Sequence, residues 1–248
     1  MVIQLVSYKS TLRAGSRLRY TAEIINSSKA DLILFAGHTL ATHCDVDELN
    51  ALIGNDKTTA VIEVKENSIS VLNPVCNSLF LLRSGVVKDM FTHQLFSDSK
   101  NISTYRELGE HLLLELETRR GFSIANKNVS IIQCGENNII RNIQSEENRP
   151  VFRFEDDAVL NQRFTDFLNN TNIILNPMHS PMGNQGKMCK RREFFSDDNR
   201  AYFSTANYDE GAINNKSVQY ACVNGKELKP TDEEVGKRGS YLVRTFVI

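Results

Sequence analysis

Three short apolar runs constrain the fold most, because helical patterns separate them along the chain. They are DLILFAG (31–37), NVSIIQC (128–134) and NIILNP (172–177). A continuous apolar run that ends in turn residues is typical of a strand buried on both faces of a sheet. Helices are predicted at residues 11–29, 45–56, 103–121, 158–170 and 190–199. This alternation predicts a mixed α/β fold with layered sheets.

Shorter β-rich segments complete the predicted sheets. They lie at residues 2–8, 59–66, 78–85, 86–96, 200–208, 217–228 and 239–248. Turns are expected at Ser84-Gly85 and Asn224-Gly225, because Gly tolerates the positive φ that tight hairpins need. No internal repeat or linker interrupts the 248 residues, so a single domain spanning residues 1–248 is the simplest account.

Charge and cysteine usage exclude several classes of protein. The formal net charge of −1 argues against a dominant polyanionic partner, so no nucleic acid is expected. The five cysteines are scattered and form no CxxC pair, which favours free thiols in a reducing compartment. No run of about 18 apolar residues exists, and the N-terminal apolar run is too short for a signal peptide. A cytoplasmic protein without a membrane anchor is expected.

Cys134 is the main candidate for chemistry, and two interpretations of it stay open. Free cysteine is among the most buried residue types, so Cys134 can be an inert core sulfur. Alternatively, a buried strand that ends in Cys134-Gly135 presents the thiol at the carboxyl end of the sheet, where ligand clefts of α/β proteins lie. A sharp turn there also brings backbone N–H groups that can hold an oxyanion.

A second polar loop, NPMHSPMG (176–183), follows the strand NIIL and is expected at the same end of a sheet. It brings Asn176 and His179 towards Cys134, although His179 can equally make a purely structural hydrogen bond. The acidic cluster THCDVDE (42–48) fits the N-terminus of a helix better than a metal site, because no second ligand group accompanies it. Neither a metal nor a cofactor is expected.

Several segments taken in order resemble the nitrilase superfamily of carbon–nitrogen hydrolases. SSKADLILFAGHTL resembles the first motif of that family, and NVSIIQCGEN resembles its nucleophile motif. NIILNPMHSPM, KRREFFSDDNRAYFSTANY and SVQYACVNGKEL are similar to its later segments. The resemblance implies a four-layer α-β-β-α sandwich, a homodimer formed through the outer helices, and a small-molecule substrate. It also implies a catalytic Cys, Glu and Lys, of which Cys134 matches the nucleophile.

The other two catalytic positions depart from the family pattern. Where Pro-Glu is expected, the chain has Ala36-Gly37 followed by His38, and where Lys is expected it has Thr92 or His93. A working site would therefore need a substitute for the missing groups. His93 is the first candidate and Glu136 the second. Gly37, His38, Asn176 and His179 are the predicted substrate-binding wall.

Two functions follow from these observations, and the sequence leaves both open. The first is a divergent hydrolase that cleaves a small amide, nitrile or carbamoyl compound through Cys134. The second is a nitrilase-fold protein that has lost catalysis and has a binding or regulatory role. The retained cysteine favours the first, whereas the missing Glu and Lys favour the second. A fold does not decide between them, because function depends on the site.

Overall fold

The computed structural model describes residues 1–66, 76–83, 85–181, 183–213, 215 and 217–248. In chain order, the helices and strands are β1 (Val2–Tyr8), α1 (Ala14–Ser27), β2 (Leu32–Phe35), α2 (Cys44–Leu52), β3 (Thr59–Glu66), β4 (Cys76–Arg83), β5 (Val86–His93), α3 (Ser99–Thr104), α4 (Arg106–Thr118), β6 (Gly121–Ile124), β7 (Lys127–Ile131), β8 (Ile140–Ile143), β9 (Arg149–Phe152), α5 (Ala158–Asn170), β10 (Ile173–Met178), α6 (Gln185–Phe195), β11 (Ala201–Ala206), β12 (Gln219–Val223), β13 (Lys226–Glu227), β14 (Asp232–Val235) and β15 (Tyr241–Val247).

The strands form two large sheets and one small hairpin. The first sheet has the order β14-β15-β1-β2-β3-β4-β5, and the second has the order β13-β12-β11-β10-β7-β6. In the first sheet β1, β2 and β3 are parallel, since helices α1 and α2 connect them. In the second sheet β7, β10 and β11 are parallel, and α5 and α6 lie in their connections. The small hairpin consists of β8 and β9.

Three apolar clusters show how the layers pack. The central cluster joins the facing sides of the two sheets, with Leu34 and Val61 from one and Ile131, Leu175 and Phe203 from the other. A second cluster packs α1 and α2 on the outer face of the first sheet. The third packs α4, α5 and α6 on the outer face of the second sheet. The predicted α-β-β-α sandwich is therefore confirmed.

The inward-facing positions of both sheets change from apolar to polar at one end. Side chains alternate between the two faces of a strand, so every second residue points inward. On β3 the inward positions run from Val61, in the central cluster, to Glu63. Beyond β7 and β10 the same alternation leads from Ile131 to Gln133 and from Leu175 to His179. The carboxyl ends of parallel strands thus assemble a polar site over the core.

Most predicted elements are confirmed, with ends shifted by a few residues, but two predictions needed correction. The single helix predicted at 103–121 is two helices, α3 and α4, because the chain is extended at Tyr105 (φ −122°, ψ 97°). Ser103, which the sequence suggests as the N-cap of that helix, instead lies inside α3, and Asp98 caps α3 by accepting a hydrogen bond from Asn101 N at 2.8 Å. Strand β6 begins at Gly121, the last residue of the predicted helix, and continues into a segment for which the sequence predicts no element.

The predicted hairpin turn at Asn224-Gly225 is confirmed by positive φ angles of 50° and 69°. Ser84, the other predicted turn residue, lies outside the described residues, and Gly85 beside it has φ 73°. None of the helices formed by the part of the chain that the structure describes has the length and hydropathy needed to cross a bilayer.

Candidate active site

Cys134 follows strand β7 and begins a short 3-10 helix, Cys134–Ile139. Between them the chain stays extended, and Ile132 N still donates to Leu175 O of β10 at 2.9 Å. The thiol is half-buried, unlike the fully buried Cys222. Cys134 is thus neither a core sulfur nor part of the strand itself. It lies at the carboxyl end of the sheet, as predicted.

Glu136 holds this turn in place and has no capacity left for catalysis. Its side chain is fully buried and forms an ion pair with the fully buried Arg120. One carboxylate oxygen also accepts from Leu95 N at 2.8 Å, and the other accepts from Gln133 N at 2.9 Å. Because both oxygens are engaged, the geometry does not support the catalytic role predicted for Glu136.

His93 is not brought to the site either. Alternation along β5 buries Thr92 and leaves the His93 side chain exposed. Arg120 reaches this segment, donating from Nε to Thr92 Oγ1 at 2.9 Å and from Nη2 to the His93 carbonyl at 2.7 Å. A guanidinium therefore lies beside the position where the family resemblance expects Lys. Its charge is already paired with Glu136, and the geometry gives His93 no catalytic role.

His179 and Glu63 form the buried pair at the centre of the site. His179 Nε2 lies 2.8 Å from Glu63 Oε1, and the Glu63 side chain is completely buried. Glu63 also accepts from His38 N at 2.9 Å and from Gln133 Nε2 at 2.9 Å. An ionised carboxylate only accepts hydrogen bonds, so His179 must carry its proton on Nε2. Asn77 Nδ2 lies 3.0 Å from that nitrogen.

The ionisation of this pair follows from its surroundings. Burial lowers the pKa of His179, but hydrogen bonds with Cys134 and Glu63 outweigh burial and raise it to about 10. Burial raises the pKa of Glu63, but hydrogen bonds from His179 and Gln133 and the nearby imidazoles leave the pKa below its usual value. At neutral pH the pair is therefore an imidazolium and a carboxylate.

Cys134, His179 and Glu63 lie together at the carboxyl ends of the strands, and we call these three residues the triad. His179 Nε2 hydrogen-bonds Glu63 at 2.8 Å, and the Cys134 side chain lies close enough to the ring to raise its pKa. A nucleophile, a base within hydrogen-bond reach and a third group that orients the base are the pattern of an activated nucleophile. The sequence predicts His179 in the wall of the site, whereas the structure places it beside Cys134 and in a hydrogen bond with Glu63.

Gly37 and His38, also predicted as wall residues, both contact the triad. A Cβ on Gly37 would lie 2.4 Å from His179 Cδ2 and 2.9 Å from Glu63 Oε1, so only glycine fits there. His38 has a left-handed backbone (φ 58°), which directs its N–H to Glu63. Its ring stacks on His179 with centroids 3.8 Å apart. Burial and the positive His179 lower the pKa of His38 to about 4.

Asn176 is fully buried and stabilises the turn that begins at Cys134 through side-chain hydrogen bonds. Its Nδ2 donates to the Ile132 carbonyl, and its Oδ1 accepts from Asn137 Nδ2 at 2.5 Å and from Tyr202 Oη at 2.8 Å. These contacts use both acceptor positions of the amide oxygen and one of the two N–H donors, and all of them are buried. The structure therefore gives Asn176 a positioning role, and its predicted contact with substrate is not supported by the geometry.

His38, Glu63 and His179 are also the type of side chains that bind transition metals, and their donor atoms lie within 4.8 Å of one another. The two imidazole rings, however, are nearly parallel, with an interplanar angle of 12°. A metal lies in the plane of each imidazole that binds it, and two stacked parallel rings share no such plane. Glu63 is also occupied by three donors. The arrangement fits a hydrogen-bonded triad better than a metal centre.

Glu63 is the functional residue that sequence analysis missed. It lies in TAVIEVKE, which was read only as a strand, 116 residues from its partner His179. One feature of the sequence could have identified Glu63: it is a charged residue at an inward position of an otherwise apolar strand. Val61 and Glu63 share the inward face of a buried strand, and an unpaired carboxylate there is costly. A charge at an inward position of a central strand indicates either a buried partner or a site.

Comparison with known proteins shows the fold. No protein-family model and no curated protein match the chain. Among solved structures, an amidase of the nitrilase superfamily from Nesterenkonia AN1 aligns with a TM-score of 0.56 and 10% identity, covering 99% of this chain and 90% of that one. XC1258 from Xanthomonas campestris, described as a CN-hydrolase superfamily protein with an arsenic adduct in the active site, aligns with a TM-score of 0.52 and 9% identity, covering 100% and 91%.

A glutamine-dependent NAD(+) synthetase from Cytophaga hutchinsonii also aligns, with a TM-score of 0.56 and 10% identity. The match covers 99% of this chain, which spans only 42% of the length of that enzyme. At these identities the comparisons establish that the chain has the fold of the nitrilase superfamily. The chemistry of this chain therefore has to be inferred from the triad.

Proposed function

We propose that this chain is a divergent carbon–nitrogen hydrolase that cleaves a small amide, nitrile or carbamoyl compound through a thioester on Cys134. In this proposal His179 is the general acid and base. Glu63 holds the imidazole in one orientation and stabilises its protonated form. The observation that carries the proposal is the hydrogen bond between His179 and the buried Glu63 carboxylate, with the Cys134 side chain beside the same imidazole. An amidase variant from Nesterenkonia sp. AN1 that carries the acetamide moiety of fluoroacetamide covalently on its active-site cysteine shares the fold.

The acylation half of the reaction uses the proton held on His179. In the proposed reactive form, with Cys134 as a thiolate and the proton on His179, the sulfur attacks the carbonyl carbon of an amide and forms a C–S bond. The carbonyl oxygen takes the electron pair and becomes the oxyanion. The oxyanion then collapses, the C–N bond breaks, and the leaving nitrogen takes the proton from His179. Ammonia or an amine departs, and a thioester on Cys134 remains.

Deacylation reverses the role of His179, which is now neutral. His179 removes a proton from water, and the resulting hydroxide attacks the thioester carbon. The C–S bond breaks, the carboxylic acid leaves, and the sulfur and His179 return to their starting state. Glu63 stays ionised throughout, and its hydrogen bond holds the imidazole in one orientation during both proton transfers.

One observation favours the second function, a catalytically degenerate binding protein. At the position where the resemblance expects Lys, the cation present is Arg120, and Glu136 neutralises it within the buried pair. Loss of a single oxyanion donor costs about 10²–10³ in rate. The proposed hydrolase is therefore expected to be slow. The triad favours the enzyme, because a binding protein has no need of an imidazolium beside a half-buried thiol.

The test is to look for the thioester. The full-length protein is mixed with a panel of primary amides and nitriles, with hydroxylamine present to capture the acyl group as a hydroxamate. In parallel samples without hydroxylamine, intact-mass measurement reports acylation of the protein. We expect acylation and ammonia release in the native protein and in a Cys189→Ser control, whose cysteine lies on α6. Cys134→Ala and His179→Gln should lose both signals.

Absence of acyl-enzyme and of ammonia across the panel, in a protein whose folding is verified, would support the binding role instead. The homodimer, the cytoplasmic location and the single-domain organisation derived from the sequence stay predictions.

A further inference from the structure

Three arginines near the 3-10 helix Cys134–Ile139 have no acidic partner. Arg191 and Arg192 lie on α6, and Arg153 directly follows β9. Arg192 is 1% exposed, Arg191 is 8% exposed, and Arg153 is half-buried. Among the residues that the structure describes, no carboxylate forms an ion pair with any of the three. We call them the arginine cluster.

Arg191 and Arg153 bind the carboxyl-terminal end of the 3-10 helix. Arg191 Nη1 donates to the Asn137 carbonyl at 3.3 Å and to Asn138 Oδ1 at 3.1 Å, and its Nε donates to Asn142 Oδ1 at 2.8 Å. Arg153 Nε donates to the Asn138 carbonyl at 2.7 Å. All of these acceptors are neutral, so they leave both guanidiniums uncompensated. Burial and the neighbouring Arg153 lower the pKa of Arg191 to about 10, which still leaves it charged near pH 7.

Arg192 adds a third charge that the described residues leave uncompensated. Its Cζ lies 4.4 Å from the centroid of the Tyr220 ring, and neither Nε nor Nη2 has an acceptor in the described part of the chain. A buried charge without an anionic partner is costly for the fold, and like charges close together add to the cost. Departures of this kind from what stabilises a fold are typical of functional sites.

The reactive form of the triad needs a compensating cation. The Cys134 thiolate and the Glu63 carboxylate each carry one negative charge, whereas the His179 imidazolium supplies only one positive charge. One net negative charge therefore remains at a half-buried site. It also remains in the tetrahedral intermediate, where it has moved from the sulfur to the oxyanion. The family resemblance expects a Lys to compensate it, and the chain has no Lys at that position.

The other ionisable groups around the thiol do not supply this cation. Glu136 neutralises Arg120 in the buried pair. Burial raises the pKa of Tyr202 to about 12, so its hydroxyl is neutral. Burial and the adjacent imidazolium lower the pKa of His38 to about 4, so this ring is neutral near pH 7. Helix α3 packs on the 3-10 helix, but its one charged side chain, Lys100, is exposed.

We propose that Arg191 is a positioning residue for the nucleophile, and that Arg191 and Arg153 together take over the electrostatic role of the missing Lys. Their hydrogen bonds fix the helix that begins at Cys134, and their charge stabilises the thiolate and the oxyanion. Asn137, which Arg191 contacts, follows Cys134 by three residues, and a 3-10 helix spans three residues in roughly 6 Å. Two unit charges roughly 10 Å apart, at an effective dielectric constant of about 20, shift an ionisation roughly 10-fold. This inference rests on the proposed function and deepens it.

Alkylation of Cys134 by iodoacetamide tests the inference, because it requires no hydrolysis. The rate is measured from about pH 4 to 10, and the modified peptide is identified by mass spectrometry. The low-pH limb of this profile reports formation of the thiolate. Arg191→Met removes the charge, and Arg191→Lys keeps the charge but loses the planar fork. Arg149→Met, which removes an exposed arginine of β9, is the control.

We expect the low-pH limb to move to higher pH in Arg191→Met, with alkylation about 10-fold slower on the limb and an unchanged plateau at high pH. Arg191→Lys and Arg149→Met should follow the native profile. A residue with a purely structural role would lower stability in denaturant unfolding without moving the limb. Arg153→Met, in which a half-buried side chain is replaced, gives the same test if Arg191→Met does not fold.

An unmoved limb in the folded Met variants, or an equal shift in Arg191→Lys, overturns the inference. Amide hydrolysis by the native protein separates this inference from the proposed function. A shifted limb without hydrolysis of any amide contradicts the proposed function alone. Hydrolysis together with an unmoved limb contradicts this inference alone.

Discussion

The ring of His179 occupies the space in which a side chain on Gly37 would begin. A Cβ added to Gly37 would lie 2.4 Å from His179 Cδ2 and 3.0 Å from His179 Nε2. The family resemblance expects a Glu at this point of the chain. The absence of a side chain at Gly37 therefore makes room for His179, and the carboxylate comes instead from Glu63 on the neighbouring strand. The lack of a Glu side chain at residue 37 and the presence of the His179 ring beside it are therefore parts of the same structural change.

Gly37→Ala is predicted to displace His179 and disable the triad. Real Cβ atoms essentially never approach a neighbour to 2.4 Å, so the ring must move away from Glu63. We expect acylation of Cys134 to fall by about 10²-fold, the lower range for loss of a general base. Acylation rates by intact mass check this. Gly54→Ala is the matched control, since a Cβ there has open space. Unchanged acylation in Gly37→Ala would show that His179 is not required at this position.

Glu63→Gln is predicted to lower the pKa of His179 and to slow the enzyme. The substitution keeps the shape of the side chain but removes the charge that favours the imidazolium. Loss of the orienting carboxylate in an activated nucleophile costs up to about 10⁴ in kcat. The measurement is kcat against pH for native and variant protein. If the high-pH limb of the profile stays in place in Glu63→Gln, the carboxylate does not act through His179.

How much of this site the sequence could predict depends on how far apart in the sequence the interacting residues lie. The buried strands and most helices follow from local periodicity, and Cys134 follows from its place after an apolar run. The pairing of His179 with Glu63 does not, because these two residues are 116 residues apart and meet only when the two sheets pack face to face. Neither His93 nor Glu136 takes that place. The alternation of side chains along β5 points His93 outward, and Glu136 is already in an ion pair with the buried Arg120.

The stability of the native protein is predicted to fall as the pH rises from 6.5 to 10 through His179. The folded pKa of about 10 lies above the ordinary value of 6.5, so the folded state holds this proton more tightly. The resulting stabilisation is complete below pH 6.5 and is lost as the pH passes through about 10. Tm against pH for native protein and His179→Gln measures it. The advantage of the native protein should shrink across this range; a constant difference would contradict the raised pKa.

His38 is predicted to have the opposite effect at acid pH. Its pKa of about 4 in the folded protein lies below 6.5, so the unfolded chain binds the proton first as the pH falls. The native protein should therefore lose stability between pH 6.5 and 4. His38→Asn, which tolerates the left-handed backbone at this position, should lose less. Tm against pH tests this, with the exposed His111→Asn as control. Parallel curves for native protein and His38→Asn would refute the assignment.

Glu136→Gln is predicted to destabilise the fold while leaving the chemistry of Cys134 nearly intact. Removing one partner of a buried ion pair leaves the other charge uncompensated, which costs about 3–5 kcal/mol. Arg120 would be that charge, because both side chains are completely buried.

Denaturant unfolding measures the loss of stability, and acylation of Cys134 is measured where the variant stays folded. A catalytic Glu136 would instead lower the acylation rate by about 10²–10⁴ with a smaller effect on folding. The double variant Arg120→Met/Glu136→Leu removes both charges, and such replacement of a buried pair is often neutral. It should therefore recover much of the stability that Glu136→Gln loses. Failure of the double variant to do so would show that the hydrogen bonds from Arg120 to Thr92 and His93, rather than its charge, hold this part of the fold together.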